Sequence, residues 1–146
     1  MKKNLKKALK IANDLFPDYY DTSGNYRCYH FAFIFKRNKL ISTGVNRPRK
    51  PDAKALYFGS KFNVHKFKKF NFLHAELDAI QRCWGKVCLD RSYCMVVIRL
   101  NKYGQLRNSK PCKNCQTILD SLGLTKIYWS IDKNTFGYGS KKLIQV

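Results

Sequence analysis

The stretch NFLHAELDAI places His74 two residues before Glu76, and the later stretch KPCKNC places Cys112 three residues before Cys115. An imidazole nitrogen and two thiolates are good zinc ligands, and a catalytic zinc takes three protein ligands while keeping a fourth position open. Cysteines three apart share one face of a helical turn. Each motif stands at the start of a segment with a helical pattern, where the N-terminal dipole favours thiolate. Glu76 is then a carboxylate held near the metal without being needed as a ligand. It is the only glutamate in the chain; the other eight acids are aspartates, against 29 Lys and Arg. A lone C-x-x-C fits a redox or zinc-ribbon site as well, but the two motifs together, each opening a helix, are far more specific.

Ordered elements must carry these groups. Leu5, Leu9, Ala12 and Phe16 recur at helical spacing, so the N-terminus reads as an amphipathic helix, with Pro17 and DTSGN as the loop after it. YHFAFIF and LISTGV are two strands joined by the turn KRNK. NRPRKPD, with its two prolines, reads as loop, and AKALYFGSKFNVHKFKKFNF has no clean period. HAELDAIQRCW is a helix with Leu73, Leu77, Ile80 and Trp84 on one face and Gly85 to end it. SYCMVVIRL is a third strand and NKYGQLRNSK an exposed loop or hairpin. Pro111 opens a helix that Gly123 closes. TKIYWSI is a fourth strand, and DKNTFGYGSKKLIQV adds one short strand after a turn. The order α-β-β-α-β-α-β-β predicts a single α/β domain over 1–146, with a mixed sheet of about five strands and helices on its faces.

Composition bounds the partners. With 45% apolar and 14% aromatic residues the chain can build a core, while a net charge of +20 is costly to compact and points to a polyanion. Nucleic acid is the first candidate and an anionic membrane surface the second; a solvated lysine face that only aids solubility is the plain alternative. Between Lys54 and Phe72, lysines alternate with aromatic rings, as single-strand binding requires, or the rings fill a core. The nucleic-acid-binding candidates here are Arg47, Arg49, Lys66, Phe67, Lys68 and Lys69. Lys7, Lys10, Asn13 and Asp14 interrupt any signal-peptide core, and FAFIF is too short to span a bilayer. A cytoplasmic, reducing location with no membrane partner is expected, so the six cysteines read as thiols or metal ligands.

HAE followed by PCKNC resembles the H-x-E…P-C-x-x-C signature of the zinc-dependent nucleobase deaminases, the cytidine/deoxycytidylate deaminase-like superfamily. The resemblance runs from GVNRP to IYWSI and implies a three-layer α/β sandwich. It implies one Zn2+ per chain on His74, Cys112 and Cys115, with Glu76 as proton shuttle. It also implies that Asn46 contacts the base or sugar and that the Ala75 N–H meets the base carbonyl. Lys110 stands where the family often has a small or acidic residue, and is a further substrate-contact candidate. Three substrates compete: cytosine in single-stranded DNA or RNA, free cytidine or deoxycytidylate, and adenosine in tRNA, whose deaminases have a loop like GVNRP. Charge favours the polymer, and for a polymer the resemblance implies flanking-base contacts in and after IYWSI, with Trp129, Asp132 and Lys133 as the candidates. The short segment after IYWSI favours an antiparallel hairpin, as in the free-nucleoside branch. The non-enzyme alternative is a structural zinc module that binds nucleic acid and takes a fourth ligand from Cys83, Cys88 or His65. Oligomeric state stays open.

Overall fold

In the computed structural model, which describes residues 1–19, 28–51, 53–64, 72–139 and 142–146, the sheet is built on one long central pairing. Strands β1 (Cys28–Lys36) and β5 (Tyr93–Asn101) run antiparallel from Cys28↔Asn101 to Lys36↔Tyr93. The side chains of β1 alternate between two apolar faces, as the pleat dictates. Phe31, Phe33 and Phe35 face one side, where Leu5, Ala8 and Ala12 of helix α1 (Lys2–Tyr19) cover them. Ala32 and Ile34 face the other, with Leu77, Ile80, Ile118 and Leu119. Two cores on opposite faces of one sheet make the expected three-layer sandwich.

β2 (Lys39–Val45) returns antiparallel to β1 around Arg37, whose φ of 56° sits in the left-handed region. The proline-bearing segment after it is not simply loop. It forms β3 (Arg47–Pro51), paired with β4 (Phe72–Leu73) in a separate two-stranded sheet, an edge setting where proline is tolerated. Between them lies α2 (Ala53–Lys61). Helix α3 (Ala75–Cys83) leads back to β5, then come β6 (Leu106–Arg107), helix α4 (Lys113–Ser121) and β7 (Lys126–Asp132), parallel to β5. The chain ends in β8 (Thr135–Tyr138) and β9 (Lys142–Gln145), each antiparallel to the strand before it. The antiparallel terminal hairpin is therefore as expected from sequence.

The main sheet has seven strands rather than about five, in the order β2-β1-β5-β7-β8-β9 with β6 on β5. The two extra strands come from segments too short to carry a period: β6 is two residues long, and the terminal segment is divided by a turn at Gly139 (φ 62°). α1 also runs through Pro17 to Tyr19, so that proline sits in its last turns rather than after it. Among the described residues no helix is long and apolar enough to cross a membrane.

α3 is locked to β2. Ser42 Oγ donates to Ala79 O at 2.7 Å, and the buried Asp78 carboxylate accepts from Val45 N at 2.9 Å. Between these bonds Gly44 lies so close to the helix that a Cβ there would collide with Ala75 O and Ala79 N. Both obstacles are backbone and cannot swing aside. Gly44→Ala is expected to destabilise the fold by about 2–3 kcal/mol, measured by urea unfolding. An unchanged midpoint would show that α3 has room to retreat.

Candidate functional site

Two helix N-termini converge on the same point. His74 is the N-cap of α3, with φ −81° and ψ 152°, and Cys112 is the N-cap of α4. Pro111 precedes that cap rather than opening the helix. Cys112 Sγ takes the place of the usual capping oxygen and accepts from Cys115 N at 3.4 Å. His74 Nδ1 lies 3.4 Å from Cys115 Sγ and 3.8 Å from Cys112 Sγ, and all three donor atoms lie within 4.8 Å of one another. Ordinary zinc–sulfur and zinc–nitrogen bonds at a tetrahedral angle put such donors about 3.6 Å apart. The donor set and its spacing therefore fit a zinc ion. Glu76 is buried beside them, with its carboxyl in hydrogen-bonding reach of the Cys115 sulfur.

The two thiols differ electrostatically. The hydrogen bond from Cys115, helped by His74 and the Cys115 N–H, brings Cys112 down to about 3 against the opposing effect of burial. The same hydrogen bond, with burial and the Glu76 charge, pushes Cys115 well above the usual thiol range. One thiolate and one thiol sharing a proton is a pair a metal ion completes by displacing that proton. Burial likewise raises Glu76, opposed by the His74 charge.

A cavity of about 290 Å³ opens onto these groups, lined by His30, Asn46, Leu73, His74, Ala75, Glu76, Ser109, Lys110 and Cys112. Asn46, Ala75 and Lys110 are thus brought together with the motif residues. Asn46 Oδ1 accepts from His30 N at 2.9 Å, and Asn46 N donates to His30 O at 3.2 Å, fixing the side chain at the end of β2. Ala75 N–H is in the first turn of α3, where it has no acceptor within the helix. His30 was not a sequence candidate: it stands inside the apolar strand YHFAFIF, where a histidine reads as core. Burial first, and then the Arg99 charge, lower it to about 4.

The loop bearing Lys110 and Cys112 is held by a buried serine pair. β5 pairs with β7 through Val97↔Trp129 and with β6 from Arg99↔Arg107 onward. At this change of partner, Ser109 Oγ donates to Val97 O at 2.7 Å and accepts from Ser130 N at 2.9 Å. Ser130 Oγ donates to Arg107 O at 2.7 Å and accepts from Arg99 N at 3.0 Å. The hydroxyls thus replace ladder bonds that neither short strand supplies.

Other candidates are placed elsewhere. Trp129 is half-buried with its indole packed on Gly137, and Lys110 Nζ sits 5.5 Å from its ring centroid. Asp132 and Lys133 form the β7–β8 turn and border a different groove, with Asn13 and Gln105, not the cavity. Of the Lys54–Phe72 rings, Phe58 is buried and stacks with Phe62, both against Trp84, so these two serve the core rather than a strand of nucleic acid. Lys66, Phe67, Lys68 and Lys69, and the side chains of Arg47 and Arg49, lie outside the described residues. So does His65. Cys83 and Cys94 are buried singly on opposite faces of the sheet, in separate cores.

No protein-family model and no curated protein matches the chain. Among solved structures, the chain is similar to the dCMP deaminase from the cyanophage S-TIM5 in apo form, at 15% identity and a TM-score of 0.49, over 86% of this chain and 80% of that one.

Cys112→Ser and Cys115→Ser are each expected to lose zinc, with the wild-type protein carrying about one ion per chain. Metal analysis by mass spectrometry, with circular dichroism to confirm folding, checks this. Wild-type zinc content in either folded variant would remove that residue from the ligand set.

Proposed function

We propose that the protein is a zinc-dependent hydrolytic deaminase that converts cytosine to uracil. One observation carries this: three metal-competent donors cluster at the wall of a cavity with room for a base, and a buried carboxyl that is not among them lines the same cavity. His74, Cys112 and Cys115 hold the metal, and Glu76 stands free for proton transfer. When bound, zinc supplies a water of pKa about 7, hence a nucleophile at neutral pH.

The rest is work for the chain's own groups. Glu76 takes one proton from the attacking water and passes it to the ring nitrogen, then takes the second proton from the hydroxyl now on the carbon and passes it to the departing amine. Water and cytosine in, uracil and ammonia out, balance without a further reactant. Burial raises the Glu76 proton affinity, which suits a group that must hold a proton between the two transfers. An aspartate would be one methylene short of the same path. The Ala75 N–H and Asn46 are positioned to orient the base carbonyl and the sugar. The structural zinc module needs a fourth ligand. Cys83 instead bonds Ile80 O, Cys88 is exposed, and neither belongs to the donor group. That module also leaves Glu76 without a role.

Glu76→Gln is expected to fold, to keep its zinc, and to lose turnover by ~10²–10⁴-fold, the usual share of general acid–base catalysis. The assay follows uracil formation from cytidine, deoxycytidylate and a single-stranded oligonucleotide, with an adenosine-bearing tRNA as the contrast. Activity within a few-fold of wild type on the substrate it prefers would sink the proton-shuttle role.

A further inference from the structure

Beside the cavity, directly across the sheet from the lining residue His30, a cation stands without a carboxylate. Arg99 lies directly opposite His30 on β1 and Arg107 on β6. Directly paired side chains share a face, and like charges set opposite one another destabilise a sheet. Arg107 is accommodated: its guanidinium donates to Leu106 O at 2.9 Å and Gln105 Oε1 at 3.0 Å. Arg99 is not. Its Nη1 makes only a long 3.4 Å contact to Asn108 O, and its buried Nε has no partner among the described residues. The ion pair among those residues is Arg82–Asp78, which belongs to the α3 clamp. A buried donor left unmade costs about 1–3 kcal/mol, so such a group calls for an acceptor.

The position of that acceptor follows from the neighbours. His30 lines the cavity and feels the Arg99 charge. Asn108, which Arg99 touches, precedes Ser109 and Lys110, both in the cavity wall, and its Oδ1 accepts from Lys110 N at 2.9 Å. Arg99 therefore stands behind one rim of the opening, and Lys110, exposed and arched over Trp129, stands at it. The cavity, at about 290 Å³, is at the small end of the ~300–1,000 Å³ range of small-molecule sites. It has room for a base and its sugar, and a phosphate on that sugar would lie at the rim.

We propose that Arg99, with Lys110, forms an anion subsite at the mouth of the cavity that takes the phosphate of a cytidine nucleotide. The proposal rests on the cytosine reading for what fills the cavity itself. A guanidinium offers a phosphate paired donors in a fixed fork. The same chemistry serves a free nucleotide and a phosphodiester within a single strand.

The test is calorimetric binding of deoxycytidine, deoxycytidylate and a short oligonucleotide with one cytosine to zinc-loaded wild type, Arg99→Gln, Arg99→Lys and Arg91→Gln, with turnover measured in parallel. Wild type is expected to bind deoxycytidylate more tightly than deoxycytidine. Arg99→Gln is expected to weaken the phosphate-bearing ligands by about 10–100-fold and leave deoxycytidine unchanged. Arg99→Lys should fall between, and Arg91→Gln, in an exposed turn, should match wild type. For turnover the loss should appear in KM rather than kcat. A stronger Arg99 dependence for the oligonucleotide than for deoxycytidylate makes the anion a phosphodiester, and the reverse makes it a free nucleotide. Equal binding of deoxycytidylate and deoxycytidine by wild type, or equal losses of both in Arg99→Gln, overturns the subsite. Arg99-dependent nucleotide binding with no turnover of any substrate would instead leave the subsite standing and bring down the deaminase reading.

Discussion

The close approach of α3 to β2 is the constraint on which the site depends. Gly44 has no side chain because the helix backbone occupies that space, and Ser42 and Val45 bond the helix on either side of it. The clamp acts on the first two turns of α3, the turns that carry His74 and Glu76. Asp78 completes it, taking Arg82 Nε and Gln81 Nε2 as well as the Val45 N–H, so that a fully buried carboxylate is satisfied on both oxygens. With the helix fixed at this depth, the direction of its N-terminus is no longer free. His74 and Glu76 inherit their separation from the one-residue spacing between them and from a helix that cannot slide.

The second half of the site is positioned by a different device. α4 is the crossover between the parallel strands β5 and β7, so its N-terminus opens at their carboxyl ends, where open α/β sheets form their binding crevices. Crossover geometry alone leaves the incoming loop loose. Ser109 and Ser130 tie it to Val97, Arg99 and Arg107 where the ladder changes hands, and Cys112 then caps the helix with its own sulfur. The low proton affinity of Cys112 follows first from the Cys115 thiol and the His74 ring, and the capped N–H adds to it. A thiolate at a helix N-terminus is held in place before any metal arrives.

Much of this was legible in the sequence for a specific reason. H-x-E and P-C-x-x-C each impose one geometry on a helix start, so the residues that carry the chemistry announce themselves by spacing. The β1, β2, β5 and β7 cores could be read for the same kind of reason, since buried strands with apolar runs leave few alternatives. What escaped was whatever depends on contact between distant segments. His30 looks like a core histidine until β1 is laid beside β5. The serine pair is invisible because Ser109 and Ser130 are ordinary residues in ordinary loops and strands. β6, and the division of the terminal segment into β8 and β9 where one strand was expected, involve runs too short for periodicity to separate them from turns. The alternation of lysine and aromatic residues misled in part because the ring at 58 on α2 and the ring at 62 just past its end are four apart, a spacing that packs both against Trp84.

The cavity is electrically lopsided, and this bears on what can enter it. Its lining includes the Cys112 sulfur and the Glu76 carboxyl, groups able to bind a cation and to carry a proton. Lys110 lies in the same lining and Arg99 behind it, across the sheet from the His30 imidazole, which is kept neutral. A charged imidazole there would add to the positive charge and repel a bound metal. Burial is the chief cause that prevents this, with the Arg99 charge second to it. The groups come from different elements: His74 and Glu76 from the start of α3, Lys110 and Cys112 from the loop into α4, and His30 and Arg99 from the β1–β5 pair. Reaction and recognition can thus vary independently on this scaffold, since exchanging a rim residue on β5 leaves both helix N-termini where they are.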